Sequence, residues 1–395
     1  MRILLVISNG YVCGGAEQSV RLLKRALKKR GHEVCVVASD LGAADPSTFS
    51  DVTYPHTRRG VFGYYRRLWN PASYRAVKQA VADFRPDVVH FHTMGELSPS
   101  AIFAARNSKA MLTVHGPEEY TKALLPWFLE SNAYKGKRRD WHRLTMFGRL
   151  EYVFYRFIQR PLYVGAFRGH LSLMVSPSAY LLEVIHKEDY GVKAVHVPNG
   201  FALARPQSLP QNNTVCFVGR LSYVKGADQL LRAVALAQKS VPKIRLMIVG
   251  EGPERQRLET LAEELKLGKS VTFYGWKSQE EVRSLMAAAQ ILVIPSVWPE
   301  NLPTVCVEAM ALGRPVIGTA TGGIPEMIDG GETGYIVPPA DPVQLAGAIV
   351  NILSDKTLAQ RMSAAAVVRA KHYSEDAFIE AILRQYETAC QSTVQ

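Results

Sequence analysis

No stretch of about 18 apolar residues occurs in the 395-residue chain, so nothing in it reads as a membrane-spanning helix. The opening MRILLVISNG has one Arg and then only five apolar residues before Ser8 and Asn9. That is too short for the apolar region of a signal peptide and reads as a first buried strand. Cysteine is scarce: the five, at 13, 35, 216, 306 and 390, are odd in number, far apart and without a CxxC pair. A disulfide framework and a zinc site are excluded as readings, and a reducing cytoplasm is the expected setting. A Walker GxxxxGKS/T motif is missing, which argues against a P-loop ATPase. Acid is short on one side only. Residues 1–200 hold 28 Lys and Arg against 16 Asp and Glu, while 201–395 hold 19 of each, so the net charge of +12 belongs to the first half. The two halves meet different surroundings.

What is present is a repeated alternation. Apolar runs rich in Val, Ile and Leu fall at 3–7, 33–38, 87–91, 111–115, 171–175 and 194–197, then at 215–218, 244–249, 271–274, 291–294, 316–318 and 335–337. Segments of helical period lie between them. Apolar runs without polar alternation, separated by helices, predict parallel sheets buried on both faces, and the pattern occurs twice. Two doubly wound Rossmann-like domains are expected, 1–200 and 214–373, joined by a proline-bearing linker at 201–213. A final helix within 374–395 is expected to pack back on the first domain. Ligands of such sheets bind at the carboxyl ends of the strands, so two facing domains would form a cleft.

Gly-rich turns follow several strands. Gly14-Gly15-Ala16-Glu17 and Gly250-Glu251-Gly252-Pro253 each lead into a helix, where backbone N–H groups and the helix dipole favour an anion. Either is equally readable as a plain strand–helix turn. Gly219-Arg220-Leu221, with Lys225-Gly226 close behind, puts two cations at a strand's carboxyl end, where phosphate would be gripped. A solvated basic loop is the competing reading. Glu308 falls inside an apolar helical segment entered through Pro303, with Glu300 in the loop before it. A carboxylate so placed needs a partner, either ligand hydroxyls or a structural Arg. His90 and His92 share one strand face; without a nearby carboxylate or third ligand they read as strand-end polar residues rather than a metal site. No Asp-x-Asp pair is present to hold a divalent cation on a diphosphate, so cations and a helix terminus would have to stabilise the leaving group.

In order along the chain, GGAE (14–17), PNG (198–200), GRL with KG, GEGP (250–253), Glu300-x7-Glu308, and Gly322-Gly323 with Pro325-Glu326 resemble the retaining nucleotide-sugar glycosyltransferases of family 4. The resemblance covers nearly the whole chain. Its second-half set is highly specific, while the first half matches only through GGAE and His115-Gly116. It implies the GT-B fold, with the first domain binding the acceptor and the second the donor. By position, Arg220 and Lys225 resemble the pair that neutralises the donor diphosphate. Glu308 resembles the carboxylate that accepts the ribose hydroxyls, and Glu300 the one that holds a sugar hydroxyl. The helix start at Leu302, Pro303, Thr304 and Val305 would complete the phosphate site. Gly15 lies where donor and acceptor approach, and His115 near the transferred sugar. Gly250, Gly252 and the turn at 274–277, with Lys277, would shape the nucleoside pocket. One departure is Glu300-Asn-Leu-Pro in place of the commoner Glu-Gly-Phe-Gly, which leaves the donor-sugar contacts less defined than the ribose contacts. The resemblance also implies front-face attack, with donor phosphate helping to deprotonate the acceptor; no side-chain nucleophile, metal or cofactor is expected.

The expected substrate is a UDP- or GDP-linked sugar. The acceptor is expected to be a lipid-linked or membrane-proximal glycan in polysaccharide or glycolipid synthesis. Residues 135–168 carry nine Lys and Arg, among them Lys137, Arg138, Arg139 and Arg143, interleaved with aromatics. Arg58, Arg59, Arg66 and Arg67 repeat the theme beside Tyr64 and Tyr65. Such a mixture suits an anionic membrane surface, making the protein cytoplasmic and peripheral. No nucleic-acid module is recognisable. Alternatives are a basic groove for a soluble acceptor, an epimerase or phosphorylase on the same fold, and a non-catalytic nucleotide-sugar-binding protein. A phosphorylase would need a pyridoxal-phosphate lysine, for which no local signature exists.

Overall fold

The structure, a computed structural model, describes residues 1–56, 61–95, 97–115, 146, 150 and 153–391. It divides into two compact units, Met1–Phe201 with Glu375–Gln395, and Ala202–Ser374.

The first unit is built on β1 (Arg2–Asn9), β2 (Glu33–Ser39), β3 (Val52–Tyr54), β4 (Val88–Phe91), β5 (Ala110–Thr113), β6 (Leu173–Ser176) and β7 (Ala194–His196). Neighbours run parallel in the order β3-β2-β1-β4-β5-β6-β7. Ile3 through Ile7 are all fully buried, because helices cover both faces of the sheet; this is why the strand shows no polar alternation. Helix α1 (Gly15–Lys29) turns Val20, Leu23 and Leu27 inward at one-face spacing. The last helix, Glu375–Gln391, adds Phe378, Ile382 and Tyr386 to the same core. Its first turn is held by Arg25 to Glu375 at 2.7 Å and Arg30 to Asp376 at 2.8 Å. Helices α2 (Val61–Leu68), α3 (Pro71–Phe84) and α4 (Arg160–His170) complete the part used below.

The second unit has β8 (Thr214–Val218), β9 (Arg245–Val249), β10 (Val271–Gly275), β11 (Ile291–Ile294), β12 (Val316–Thr319) and β13 (Gly334–Val337), parallel in the order β10-β9-β8-β11-β12-β13. Helices α5 (Ala227–Ala237), α6 (Gln279–Ala288) and α7 (Thr304–Ala311) join strands that all point the same way. In both sheets the first strand lies between the second and the fourth. The chain reverses its direction of travel there, so the connections leaving the first and fourth strands run to opposite sides of the sheet.

Two features were not readable in advance. β3 is only three residues between Asp51 and Pro55, too short to show a period. The stretch expected to be a linker is fastened to the second unit by Arg314, which is fully buried. Its guanidinium donates to Gln207 O at 2.6 Å, Ser208 O at 2.9 Å, Ala287 O at 2.8 Å and Leu312 O at 2.8 Å. The carbonyls at the ends of α6 and α7 thus find their donor in a buried cation, whose pKa burial pushes down to about 10.

Candidate active site

In the second unit, the turns that leave β8, β9 and β10 are locked together by backbone hydrogen bonds. Gly219 N donates to Val249 O at 3.0 Å, Leu221 N to Glu251 O at 2.9 Å, and Gly250 N to Gly275 O at 2.9 Å. Gly250 has φ +135, and a Cβ there would lie 2.0 Å from Gly219 O; one at Gly252 would lie 2.2 Å from Leu221 O. The two glycines let the turn behind Arg220 close, so they shape the site by holding its wall. Arg220 itself is exposed on that turn.

Across the crevice stands the loop after β11. Val297 N donates to Val224 O at 3.0 Å, and Gly226, at φ +67, leaves no room for a Cβ, which would fall 1.9 Å from Pro295 O. This close approach delivers Lys225, whose Nζ meets Glu300 Oε1 at 2.6 Å. Ser296 Oγ donates to the same oxygen at 2.7 Å, and Thr319 Oγ1 donates to Ser296 O at 2.6 Å. Gly323 N donates to Glu300 O at 2.7 Å, which explains the Gly322-Gly323 pair as a support for the glutamate's backbone.

Immediately beyond, α7 begins without a side-chain cap. Pro303 has no N–H and sets the entry with φ −67, while the Thr304 and Val305 N–H groups find no acceptor among the described residues. Leu302 leads into this turn. An uncapped helix start beside a lysine is an anion site in waiting. Glu308 lies one turn in, largely buried, with no hydrogen-bond or ion-pair partner among the described residues. Burial raises its pKa, opposed by the charge of Arg283 on α6. No Arg side chain pairs with it among the described residues, although the Arg283 charge acts on it. Lys277 Nζ instead meets Glu281 Oε1 at 3.0 Å, within the Ser278–Glu281 capping box of α6. Ser278's backbone N–H above all, then its hydroxyl and Lys277, hold that carboxyl down at about 2.

In the first unit, Gly15 opens α1 and Gly14 caps it in an extended conformation. Glu17 of the same motif is buried and accepts from Asn9 Nδ2 at 3.2 Å, tying the helix start to the end of β1. His115 follows β5, and its Nε2 lies 3.1 Å from His92 Nδ1. Burial pushes the His115 pKa down to about 4. The third imidazole near His90 and His92 is thus His115, which sequence spacing could not reveal. Among the described residues no group of three or more His, Cys, Asp or Glu side chains is arranged to hold a metal ion. Ser296 and Thr319 were also missed; both directly follow or end an apolar run, the only signal they carry.

Of the basic residues assigned to acceptor or membrane, Arg66 and Arg67 lie on α2, the first partly buried and the second exposed. Arg58, Arg59, Lys137, Arg138, Arg139 and Arg143 lie outside the described residues. Two other cations of the 135–168 run are spent internally. Arg160 pairs with Glu188 at 3.0 Å in the core, and Arg168 donates to Tyr190 O at 3.1 Å and Asp189 O at 2.7 Å.

Residues 203–369 match the family described as glycosyl transferases group 1, and residues 13–205 match glycosyltransferase family 4. A D-inositol 3-phosphate glycosyltransferase of Corynebacterium jeikeium is 36% identical over 184 residues, 45% of this chain and 44% of that one. A phosphatidyl-myo-inositol mannosyltransferase of Mycobacterium leprae is 27% identical over 404 residues, 99% of this chain and 98% of that one. Among solved structures, Anabaena HepE in complex with UDP superposes with a TM-score of 0.73 at 19% identity, covering 98% of this chain and all of that one. The two parallel-sheet units are those of a GT-B glycosyltransferase. The chain belongs to glycosyltransferase family 4, its second half being of the group 1 type.

Proposed function

We propose that this protein transfers a sugar from a UDP- or GDP-sugar to an acceptor hydroxyl with retention of anomeric configuration and without a divalent metal. The observation that carries the reading is the Lys225–Glu300 pair at 2.6 Å across the β8/β11 crevice, beside the uncapped start of α7. Lys225, Arg220 and the Thr304 and Val305 amides receive the diphosphate. They compensate the charge that grows as the bond from the sugar's anomeric carbon to phosphate oxygen breaks. The acceptor oxygen bonds to that carbon on the same face, and its proton passes to a phosphate oxygen of the departing nucleoside diphosphate. Glu308 binds the ribose hydroxyls and Glu300 a hydroxyl of the sugar. The UDP-bound neighbour supports a nucleoside diphosphate as the leaving group. The two relatives support an inositol-bearing acceptor, lipid-linked in the case of the mannosyltransferase.

The test pairs each UDP- and GDP-hexose with inositol phosphate and with phosphatidylinositol vesicles. Nucleoside diphosphate release is followed, with the product's anomeric configuration read by NMR. The expected result is acceptor-dependent release and a product of the donor's configuration. Inversion, or release that ignores the acceptor, contradicts the proposal.

A further inference from the structure

The locked turns of the second unit carry one large apolar side chain that folding leaves bare. Trp276 directly follows β10 and is 76% exposed, more than any other large hydrophobic residue of that unit. An indole is among the largest apolar surfaces a side chain can bury. Among the described residues no hydrogen bond, ring or cation engages it.

Its backbone, by contrast, is held on both sides. Before it, Gly275 at φ +72 accepts from Gly250 N at 2.9 Å, and a Cβ there would lie 2.9 Å from Glu251 Oε1. After it, Ser278 opens α6 with its capping box. The Ser278 backbone N–H donates to Glu281 Oε2 at 2.9 Å, and its hydroxyl accepts from Glu281 N at 3.3 Å. Lys277 is engaged by the same carboxylate at 3.0 Å. A fixed turn thus presents a flat indole to solvent.

The parallel order β10-β9-β8 puts this turn at the same end of the sheet as Arg220 and Lys225. At the usual strand spacing the exits of β10 and β8 lie about 10 Å apart. That leaves room for a ribose between a diphosphate on the two cations and a base on the indole. The carboxylate read as the ribose partner stands on the adjoining helix. Helix α6 starts from the Trp276 turn and packs beside α7, and the charge of its Arg283 acts on Glu308.

We infer that Trp276 is the platform on which the donor's nucleobase stacks, with the ribose toward Glu308 and the diphosphate toward Lys225. Every base has a π-face, so the contact adds affinity for uracil and guanine alike and leaves the choice between them to other groups. The inference rests on the reading that the second unit binds a nucleoside diphosphate, and it adds the side chain that holds the base.

The test titrates UDP, GDP and inorganic pyrophosphate, which has no base, into full-length wild type, Trp276→Ala and Trp276→Phe. Nucleotide affinity should fall roughly tenfold or more in Trp276→Ala and less than about threefold in Trp276→Phe, which keeps an aromatic face. Pyrophosphate should bind all three proteins alike. Indole emission gives an independent readout: bound nucleotide should quench wild type more strongly than Trp276→Phe. Unchanged nucleotide affinity in Trp276→Ala, an equal loss for pyrophosphate, or equal quenching in wild type and Trp276→Phe overturns the stacking role. Failure of the underlying reading is distinguishable, because wild type itself would then bind neither UDP nor GDP.

Discussion

Lys225 and Glu300 hold each other at 2.6 Å, so the two residues cannot be perturbed independently. Lys225→Ala removes charge from the leaving group and is expected to cut turnover roughly 10²–10³-fold, with weaker binding of nucleoside diphosphate. Glu300→Gln leaves Lys225 without its counter-charge. Free nucleoside diphosphate should then bind unchanged to about tenfold tighter, whereas sugar-bearing donors lose turnover; competition titrations separate the two. Weaker binding of both ligands would show that Glu300 serves the diphosphate rather than the sugar. Glu308 offers a stability test. Burial raises its pKa, so the folded protein keeps the proton over a pH window in which the unfolded chain has lost it. Stability falls as pH rises through that window; the cost is complete above the raised value and absent below the ordinary carboxylate value of about 4.3. Glu308→Gln should therefore raise Tm of the ligand-free protein near neutral pH and not near pH 4. It should also weaken nucleoside diphosphate roughly tenfold or more, since hydrogen bonds to a charged group contribute about 1.5–3 kcal/mol. In the sequence Glu308 stood out as a carboxylate inside an apolar helix, whereas Lys225 and Glu300 lay in loops and stood out through the ordered motifs that carry the family resemblance. Their pairing did not, because 75 residues separate Lys225 from Glu300 and only the sheet order brings them together.

The elements that make the crevice are two loops pressed into contact, and Gly226 is the point of closest approach. Gly226→Ala would combine an unfavourable left-handed backbone with a Cβ 1.9 Å from Pro295 O. The expected cost is roughly 1–3 kcal/mol in denaturant unfolding, with a larger proportional loss of nucleotide affinity because Lys225 moves with the loop. Loss of stability alone, with affinity intact, would detach Lys225's placement from this contact. The strands of both sheets were readable because parallel strands buried on both faces leave unbroken apolar runs, as in Ile3–Ile7. Elements whose signal lies in partners were not. Arg314 stands in an ordinary Gly-Arg-Pro turn, and nothing local says that its guanidinium collects carbonyls from segments 25 and 107 residues away. His92 likewise showed its spacing from His90 but not the ring of His115 beyond it.

For the molecule as a whole, charge is unevenly spread but partly consumed within the first unit. The last helix brings Glu375, Asp376, Glu380 and Glu387 against a single Arg384, and Arg25, Arg30, Arg160 and Arg168 are committed internally. Tyr65, Val153, Phe157 and Leu162, which fall in the two basic stretches of the sequence, are exposed. No helix of the described residues is long and apolar enough to cross a membrane. Binding to anionic vesicles is expected, fading with salt, and changing Lys137, Arg138, Arg139 and Arg143 to Ser should remove ~1 kcal/mol for each charge. Equal partitioning onto neutral and anionic vesicles favours a soluble acceptor instead. The most direct test of sugar-nucleotide chemistry is calorimetric titration of UDP and GDP into the wild type, Lys225→Ala and Glu308→Gln, all with excess chelator. The account predicts one site for at least one of the two nucleotides, retained under chelation and weakened in both variants. No binding of either nucleotide, binding abolished by the chelator, or affinity indifferent to both substitutions would contradict it.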